Sequence, residues 1–510
     1  MEQSSGATAS VWMDSAEFPA SATRPAKSVY DVCIIGAGVA GLSCAYQLSL
    51  EGQQVVIVDD GPPAGGETCR TTAHLSNIID DMFTEIERIH GVEGSQLAQQ
   101  SHKAAIDWIS KIAEREAISC EFQRVDAWLV PGEREDDEFM QKEYEAAVRA
   151  GVVGAEYPAH APVAGLASRA SIHYPNQAQF DPIKYLVGVA GALKARGVEM
   201  ISDCAVQDVK ERESDVEVTL ASGKTLTARH VIVATNSPIV GLMIHTRQAP
   251  YRTYAIAIEV PAGSIPAALY WDTENPYHYA RLMHGEKRAG EVNDLLIVGG
   301  EDHKTGLEHE AEERFACLEK WARQRFSGLG LIRYKWSGQV MEPADGLAFI
   351  GRVPGQKRIY MSTGDSGMGM THGTIAGMLL TDLILGRQNP WEKLYSPARF
   401  SIKELPSLLK ENATAVRRLG ANFTPGQVYS RDDLRPGSGA VIREGLKKSA
   451  VYRDDRGVYH ELSAVCTHLG CVVEWNEIEK SWDCPCHGSR FDVDGHVLNG
   501  PATKPLTPRM

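Results

Sequence analysis

The chain has 510 residues, 43% hydrophobic and 23% charged, the balance of a soluble globular protein long enough for two or three domains. Its 52 Lys and Arg against 66 Asp and Glu give a net charge of −14, and no basic stripe is present, which argues against a nucleic-acid partner. No charge-free apolar run reaches the ~18 residues of a membrane span. Residues 1–27 form a Ser- and Ala-rich extension without the basic and apolar regions of a signal peptide. Six scattered cysteines suit a reducing compartment. The expectation is a cytoplasmic protein with no transmembrane segment.

Val29–Ile35 is a short apolar run that predicts a buried strand. Gly36, Gly38 and Gly41 follow as G-x-G-x-x-G, then a helical pattern to Leu50, then a second apolar run that ends at Asp59. Strand, glycine turn, helix, strand and acid make a dinucleotide-binding unit. The glycines permit the turn and let the backbone approach a pyrophosphate, and Asp59, 18 positions after Gly41, suits a ribose hydroxyl. Residues 65–76 are a polar loop in which Arg70, Thr71 and Thr72 could serve phosphate or flavin oxygens or simply face solvent. Helical periodicity covers 84–118, short strands and helices 121–172, and a β-meander 199–220. An apolar strand over 230–235 carries Ala234 into an Asn-Ser-Pro turn. Residues 251–300 are strand-rich, a helix is predicted over 308–325, and Gly364, Gly369, Met370 and Thr371 belong to a glycine-rich turn that enters an apolar helix. Residues 391–430 are a connector with helical spacing over 407–419. The last 80 residues hold short strands at 439–443, 447–453 and 458–464.

Those last residues also carry chemistry. Cys466 and His468 form a C-x-H pair, and Cys484 and His487 a C-x-x-H pair. Two thiolates and two imidazoles suit either zinc or an iron–sulfur centre, although the usual zinc-finger spacing is absent. Cys471 and Cys486 remain, one in each loop.

The pattern CTHLGC…CPCHGSRF resembles the loop pair of Rieske [2Fe–2S] proteins. The resemblance implies that Cys466 and Cys484 hold one iron, His468 and His487 the other, and that Cys471 and Cys486 form a disulfide. Ser489 matches a serine that hydrogen-bonds a cluster sulfur, while Phe491 replaces a tyrosine, which implies a lower potential than in the respiratory proteins. GAGVAG, Asp59, ATNSP, DGLAFIG and GDSGMGMTHG resemble the FAD-dependent amine and D-amino-acid oxidase family over about residues 28–390. GGETCRTTAHL, PNQAQFDP, PYRTY and VGGEDHKTG resemble its subfamily with a C-terminal Rieske domain.

The implied fold is α/β with an α+β insert. A Rossmann-like, discontinuous FAD-binding domain (28–390) carries a strand-rich substrate domain around 247–330. A helical connector (391–430) and a small all-β Rieske domain (431–510) follow. The implied cofactors are FAD and a [2Fe–2S] cluster. Only one dinucleotide unit is evident, so electrons are expected from a small amine or amino acid, not a nicotinamide, and to leave through the cluster to a protein or quinone acceptor. The alternatives are an electron-transfer module feeding a partner oxygenase and a redox sensor. Substrate-site candidates are Tyr251, Arg252, Tyr254, Tyr277, His278, Tyr279 and Arg281, with Arg252 as a carboxylate clamp. His74 and His372 are acid–base candidates. Cys69 is expected to be a plain thiol.

Overall fold

The computed structural model describes residues 5–22, 24–285, 293–307, 311–406, 408, 430–445 and 447–509. Two large sheets and two small ones organise them.

The first large sheet is built on Val29–Ile35, which pairs in parallel with Val55–Val58 on one side and Thr225–Val233 on the other. Ile359–Thr363 and Glu199–Ile201 extend it in parallel. The central strands are apolar on both faces: Val32, Ile34, Val55 and Ile57 face the helices, while Cys33, Ile35, Val56 and Val58 pack on Val206, Val216 and Val218. The helix Val39–Leu50 lies against the late helix Gly369–Ile384. Small residues allow that approach: a Cβ on Gly377 would stand 2.8 Å from the Ser43 backbone, and one on Gly373 3.0 Å from the Ala40 nitrogen. The predicted meander over 199–220 is divided. Glu199–Ile201 joins the parallel sheet, and only Val206–Glu211 and Val216–Leu220 form a hairpin. The long helix Phe83–Arg115 is interrupted at Gly91, where φ is 76°.

The second large sheet has nine strands. Gln248–Pro261 lies beside the edge strand Ile332–Pro343 and pairs on its other side with Asn293–Lys304, all antiparallel. His278–Met283, Ala268–Asp272, Gln123–Val130 and Ser171–Gln179 continue it. One face packs on the helix Ala311–Arg325 through Phe315, Leu318 and Trp321. The other face looks toward the dinucleotide turn.

The C-terminal part has a three-stranded sheet (Ser438–Glu444, Lys447–Arg453, Tyr459–Ser463) and a four-stranded one (Glu474–Asn476, Ser481–Asp483, Arg490–Phe491, Val497–Asn499). Trp475, Trp482 and Phe491 form its core together with Cys466 and Cys484. The predicted connector helix over 407–419 lies outside the described residues apart from Leu408. No helix among the described residues is long and apolar enough to cross a membrane.

Candidate flavin cavity and cluster site

Between the two large sheets is a cavity of about 590 Å³. Gly36, Gly38 and Asp59 line one end of it, where the first strand gives way to its helix. Gly36 has φ 107°, and a Cβ there would stand 2.3 Å from the Ala234 carbonyl oxygen. Gly41 lies behind it, with no room for a Cβ beside the Gly36 carbonyl, 1.8 Å away. The cradle is thus filled by backbone and leaves space only on the cavity side, as a bound pyrophosphate requires. The Asp59 carboxylate accepts from the Ala37 and Gly61 N–H groups. Burial and the neighbouring Asp60 push its pKa up to about 7. Thr71, Thr72, Ala234, Gly369 and Met370 also line the cavity. Gly364 and Thr371 stand behind the wall; the Thr371 hydroxyl donates to the Met368 carbonyl. These surroundings fit FAD.

Arg70 reaches the cavity, but its guanidinium serves the protein. It donates to the Thr8 hydroxyl and to the carbonyls of Gly6, Thr8 and Ser337, and pairs with Glu479 at 3.1 Å. The expected role toward phosphate or flavin oxygens is left to Nε, which is buried without a hydrogen-bond partner. Cys69 is a buried thiol, its pKa raised to about 12 by burial.

The candidates on the nine-stranded sheet divide by strand parity. Thr253, Tyr277 and Tyr279 line the cavity, while Arg252, Tyr254 and His278 do not. Arg252 points to the opposite face, is 1% exposed, and pairs with Glu479 at 3.0 Å, so it is no substrate clamp. Tyr254 hydrogen-bonds His303 on that same face. His278 is held between Asp272 (3.1 Å) and Glu301 (3.0 Å) and stacks on Trp321. Burial pulls its pKa down, but the two carboxylates outweigh that and raise it to about 9. It is a structural cation. Arg281 donates to the Ala73 and Phe180 carbonyls. His74 and His372 do line the cavity. Burial lowers both, to about 3 and about 4, so each is a neutral imidazole at pH 7. His372 Nδ1 meets the Asp365 carbonyl at 2.8 Å.

In the C-terminal loops, Cys471 and Cys486 form a disulfide. Cys484 Sγ lies within 4.8 Å of both its sulfurs. The Cys466 and Cys484 thiols are hydrogen-bond neighbours, and the rings of His468 and His487 stand 5.1 Å apart. His468 Nδ1 is buried without a hydrogen-bond partner. Two adjacent thiols, two converging imidazoles and an orphaned ring nitrogen fit a [2Fe–2S] centre held by two cysteines and two histidines.

The small sheets are docked on the cavity. Val497, Asn499, Gly500 and Thr503 form part of its lining. Glu479, buried, accepts from Thr8 and Ser337 and binds both Arg70 and Arg252. Residues 5–12 thread this seam: Ser5 accepts from Arg490, and Trp12 donates its indole N–H to the Thr71 carbonyl. His245, in the turn Leu242–Thr246 of the larger part, places its ring 5.1 Å from that of His468 and 5.8 Å from that of His487. None of Glu479, His245 or Asp80 carries a sequence motif, and Asp302 lies in the VGGEDHKTG segment without standing out there. Only the fold brings them to the site.

A dinucleotide cradle facing an antiparallel sheet across one cavity, with a cysteine–histidine metal site docked on its rim, defines a flavin- and iron–sulfur-dependent oxidoreductase. Residues 31–383 match the family described as DAO, FAD dependent oxidoreductase, and residues 424–508 match the Rieske [2Fe-2S] domain. The chain belongs to the FAD-dependent oxidoreductase family and carries a C-terminal Rieske domain. Its cofactors are FAD and a [2Fe–2S] cluster. It is 30% identical over 501 residues to YhfW of Bacillus subtilis (strain 168), named for a Rieske 2Fe-2S iron-sulfur group, covering 97% of this chain and 96% of that protein. The fold is similar to glycine oxidase from Geobacillus kaustophilus (TM-score 0.61, 16% identity, 73% of this chain and 100% of that one). It is also similar to L-proline dehydrogenase from P. horikoshii (TM-score 0.58, 18% identity, 73% and 98%).

Proposed function

We propose that the protein oxidises a small amine or amino acid and passes the electrons through the flavin to the Rieske cluster, and from there singly to an external protein or quinone acceptor. The observation that carries this reading is the shared cavity: residues 497–503 of the Rieske part line the space that the flavin cradle opens into. FAD accepts a hydride and releases electrons singly, and the cluster takes them one at a time. The chain's residues supply position. Gly36 and Gly38 admit the dinucleotide backbone, Thr253, Tyr277 and Tyr279 shape the substrate side, and the neutral His74 and His372 add no cation there. The fold of glycine oxidase and L-proline dehydrogenase supports a substrate bearing a C–H beside nitrogen.

Anaerobic mixing with an amine panel tests the reading. Flavin absorbance should bleach first and the cluster should then reduce. Flavin reduction only by NAD(P)H or a reductase would contradict it and favour a module that feeds a partner oxygenase.

The cluster's surroundings predict its tuning. Ser489 Oγ accepts from the Ala502 N–H at 3.1 Å, which leaves its O–H to donate toward Cys466. Phe491 is fully buried in the same core and offers no such donor. Hydrogen bonds to the sulfurs raise the potential. Phe491→Tyr should titrate higher than wild type in a redox titration followed by EPR; an equal or lower value would contradict this account.

A further inference from the structure

The cavity wall supplied by the nine-stranded sheet and the turn at residue 80 is acidic and aromatic. Asp80 and Asp302 both line it, and the Tyr277 hydroxyl neighbours both carboxylates. Tyr277 and Tyr279 stack with centroids 5.6 Å apart, and His74 meets Tyr279 edge-on at 5.2 Å. Carboxylates beside aromatic rings are the surroundings of an ammonium group, which pairs with the acids and lies against the rings.

No described lysine or arginine of the wall pairs with these acids, although Thr253 and Tyr277 hydrogen-bond Asp302 and His278 acts on it from the far face of the sheet. Among the described residues lining the cavity, Arg70 is the only lysine or arginine, and its Nη atoms are committed to Glu479, Ser337 and the segment at Gly6–Thr8. Arg252 faces away and Arg281 is spent on two carbonyls behind the wall. Burial and neighbouring acids, Asp81 and Asp302 for Asp80, and burial and Glu301 for Asp302, raise these carboxyls to about 7 and about 6. A cation bound between them would relieve that, whereas a substrate carboxylate would add another negative charge.

We propose that this wall is an ammonium subsite, so that the substrate is a diamine or polyamine with a second positive charge away from the carbon that is oxidised and no carboxylate beside that carbon. This rests on the amine-oxidation reading above and narrows it. Asp80 and Asp302 hold the distal ammonium, Tyr277 and Tyr279 cover it, and the nearer amine faces the flavin.

Calorimetric titration of the dithionite-reduced holoprotein, which binds without turnover, tests this with 1,4-diaminobutane, n-butylamine and glycine as probes. The diamine should bind about 10-fold or more tighter than n-butylamine, and glycine weakest, as expected for a charge-assisted pair. In Asp302→Asn, an isosteric change, the preference for the diamine should collapse to about 2-fold or less. Equal affinity for the diamine and n-butylamine in wild type, or a preference that survives Asp302→Asn, would overturn the subsite. An amino acid that reduces the flavin faster than any diamine would overturn it while leaving amine oxidation standing. A diamine whose binding depends on Asp302 but which never reduces the flavin would overturn the activity and leave the subsite standing.

Discussion

Glu479→Gln should separate the two redox parts while leaving each folded. Flavin bleaching by substrate should persist, and electron transfer from flavin to cluster should slow at least ~10-fold, since the loss of one partner from a buried ion pair costs about 3–5 kcal/mol. The side chain sits at the middle of the seam. Its carboxylate binds Arg70 at 3.1 Å and Arg252 at 3.0 Å, and accepts from the Thr8 hydroxyl at 2.6 Å. Glutamine keeps the volume but removes the charge, so two buried guanidinium groups lose their shared counter-ion. Burial raises the Glu479 pKa, but Arg70, Arg252 and Arg490 outweigh it and bring it to about 2. A carboxylate depressed in this way stabilises the docked form fully above its ordinary range, near 4.5, and loses that contribution as pH falls toward 2. Docking should therefore be unaffected at neutral pH and weaken only in strong acid. Stopped-flow absorbance at flavin and cluster wavelengths measures the effect. Unchanged transfer in Glu479→Gln would show that the seam does not hold the cluster in place.

Gly36→Ala should abolish FAD binding. The residue lies at φ 107°, a conformation that costs a non-glycine residue about 1–3 kcal/mol. The added methyl would meet the Ala234 carbonyl oxygen at 2.3 Å and its carbon at 2.9 Å. Both contacts are backbone of Ala234, just past the end of the neighbouring strand Thr225–Val233, so no side chain can turn aside, and overpacking adds about 1–3 kcal/mol. The strain is relieved only by separating the first strand from its partner, which displaces the cradle. Flavin content after purification and the melting temperature check this. A Gly36→Ala protein that keeps stoichiometric FAD would contradict the assignment of the cradle.

What the sequence made legible follows from how local the information is. The dinucleotide unit and the two metal loops are short segments whose residues act on their immediate neighbours, so spacing alone carries them. Alternation along Gln248–Pro261 puts Arg252 and Tyr254 on one face of the sheet. It did not say which face meets the flavin. That depends on the helix Ala311–Arg325, which covers the Arg252 face of the sheet beside the docked Rieske part. The charge of Arg252 suggested a substrate partner, but the fold gives it Glu479, 227 residues away in the chain. Asp80 and His245 were invisible for the same reason, and Asp302 lay in a quoted segment without being singled out: each matters through a neighbour from a distant segment. Residues 5–12 belong to the Ser- and Ala-rich extension, yet Trp12 is fully buried and Ser5 caps Arg490 in the seam.

The central claim is that the cluster is the exit for electrons that enter at the flavin. His468→Ala removes one of the two imidazoles proposed to hold the cluster, whose Nδ1 is otherwise buried without a partner. Anaerobic stopped-flow mixing of this variant with a reducing amine tests the claim directly. The account predicts that the cluster signal is lost, that amine-driven flavin bleaching survives at the wild-type rate, and that turnover with a one-electron acceptor stops. Loss of flavin bleaching in a variant that retains FAD and its fold would contradict it.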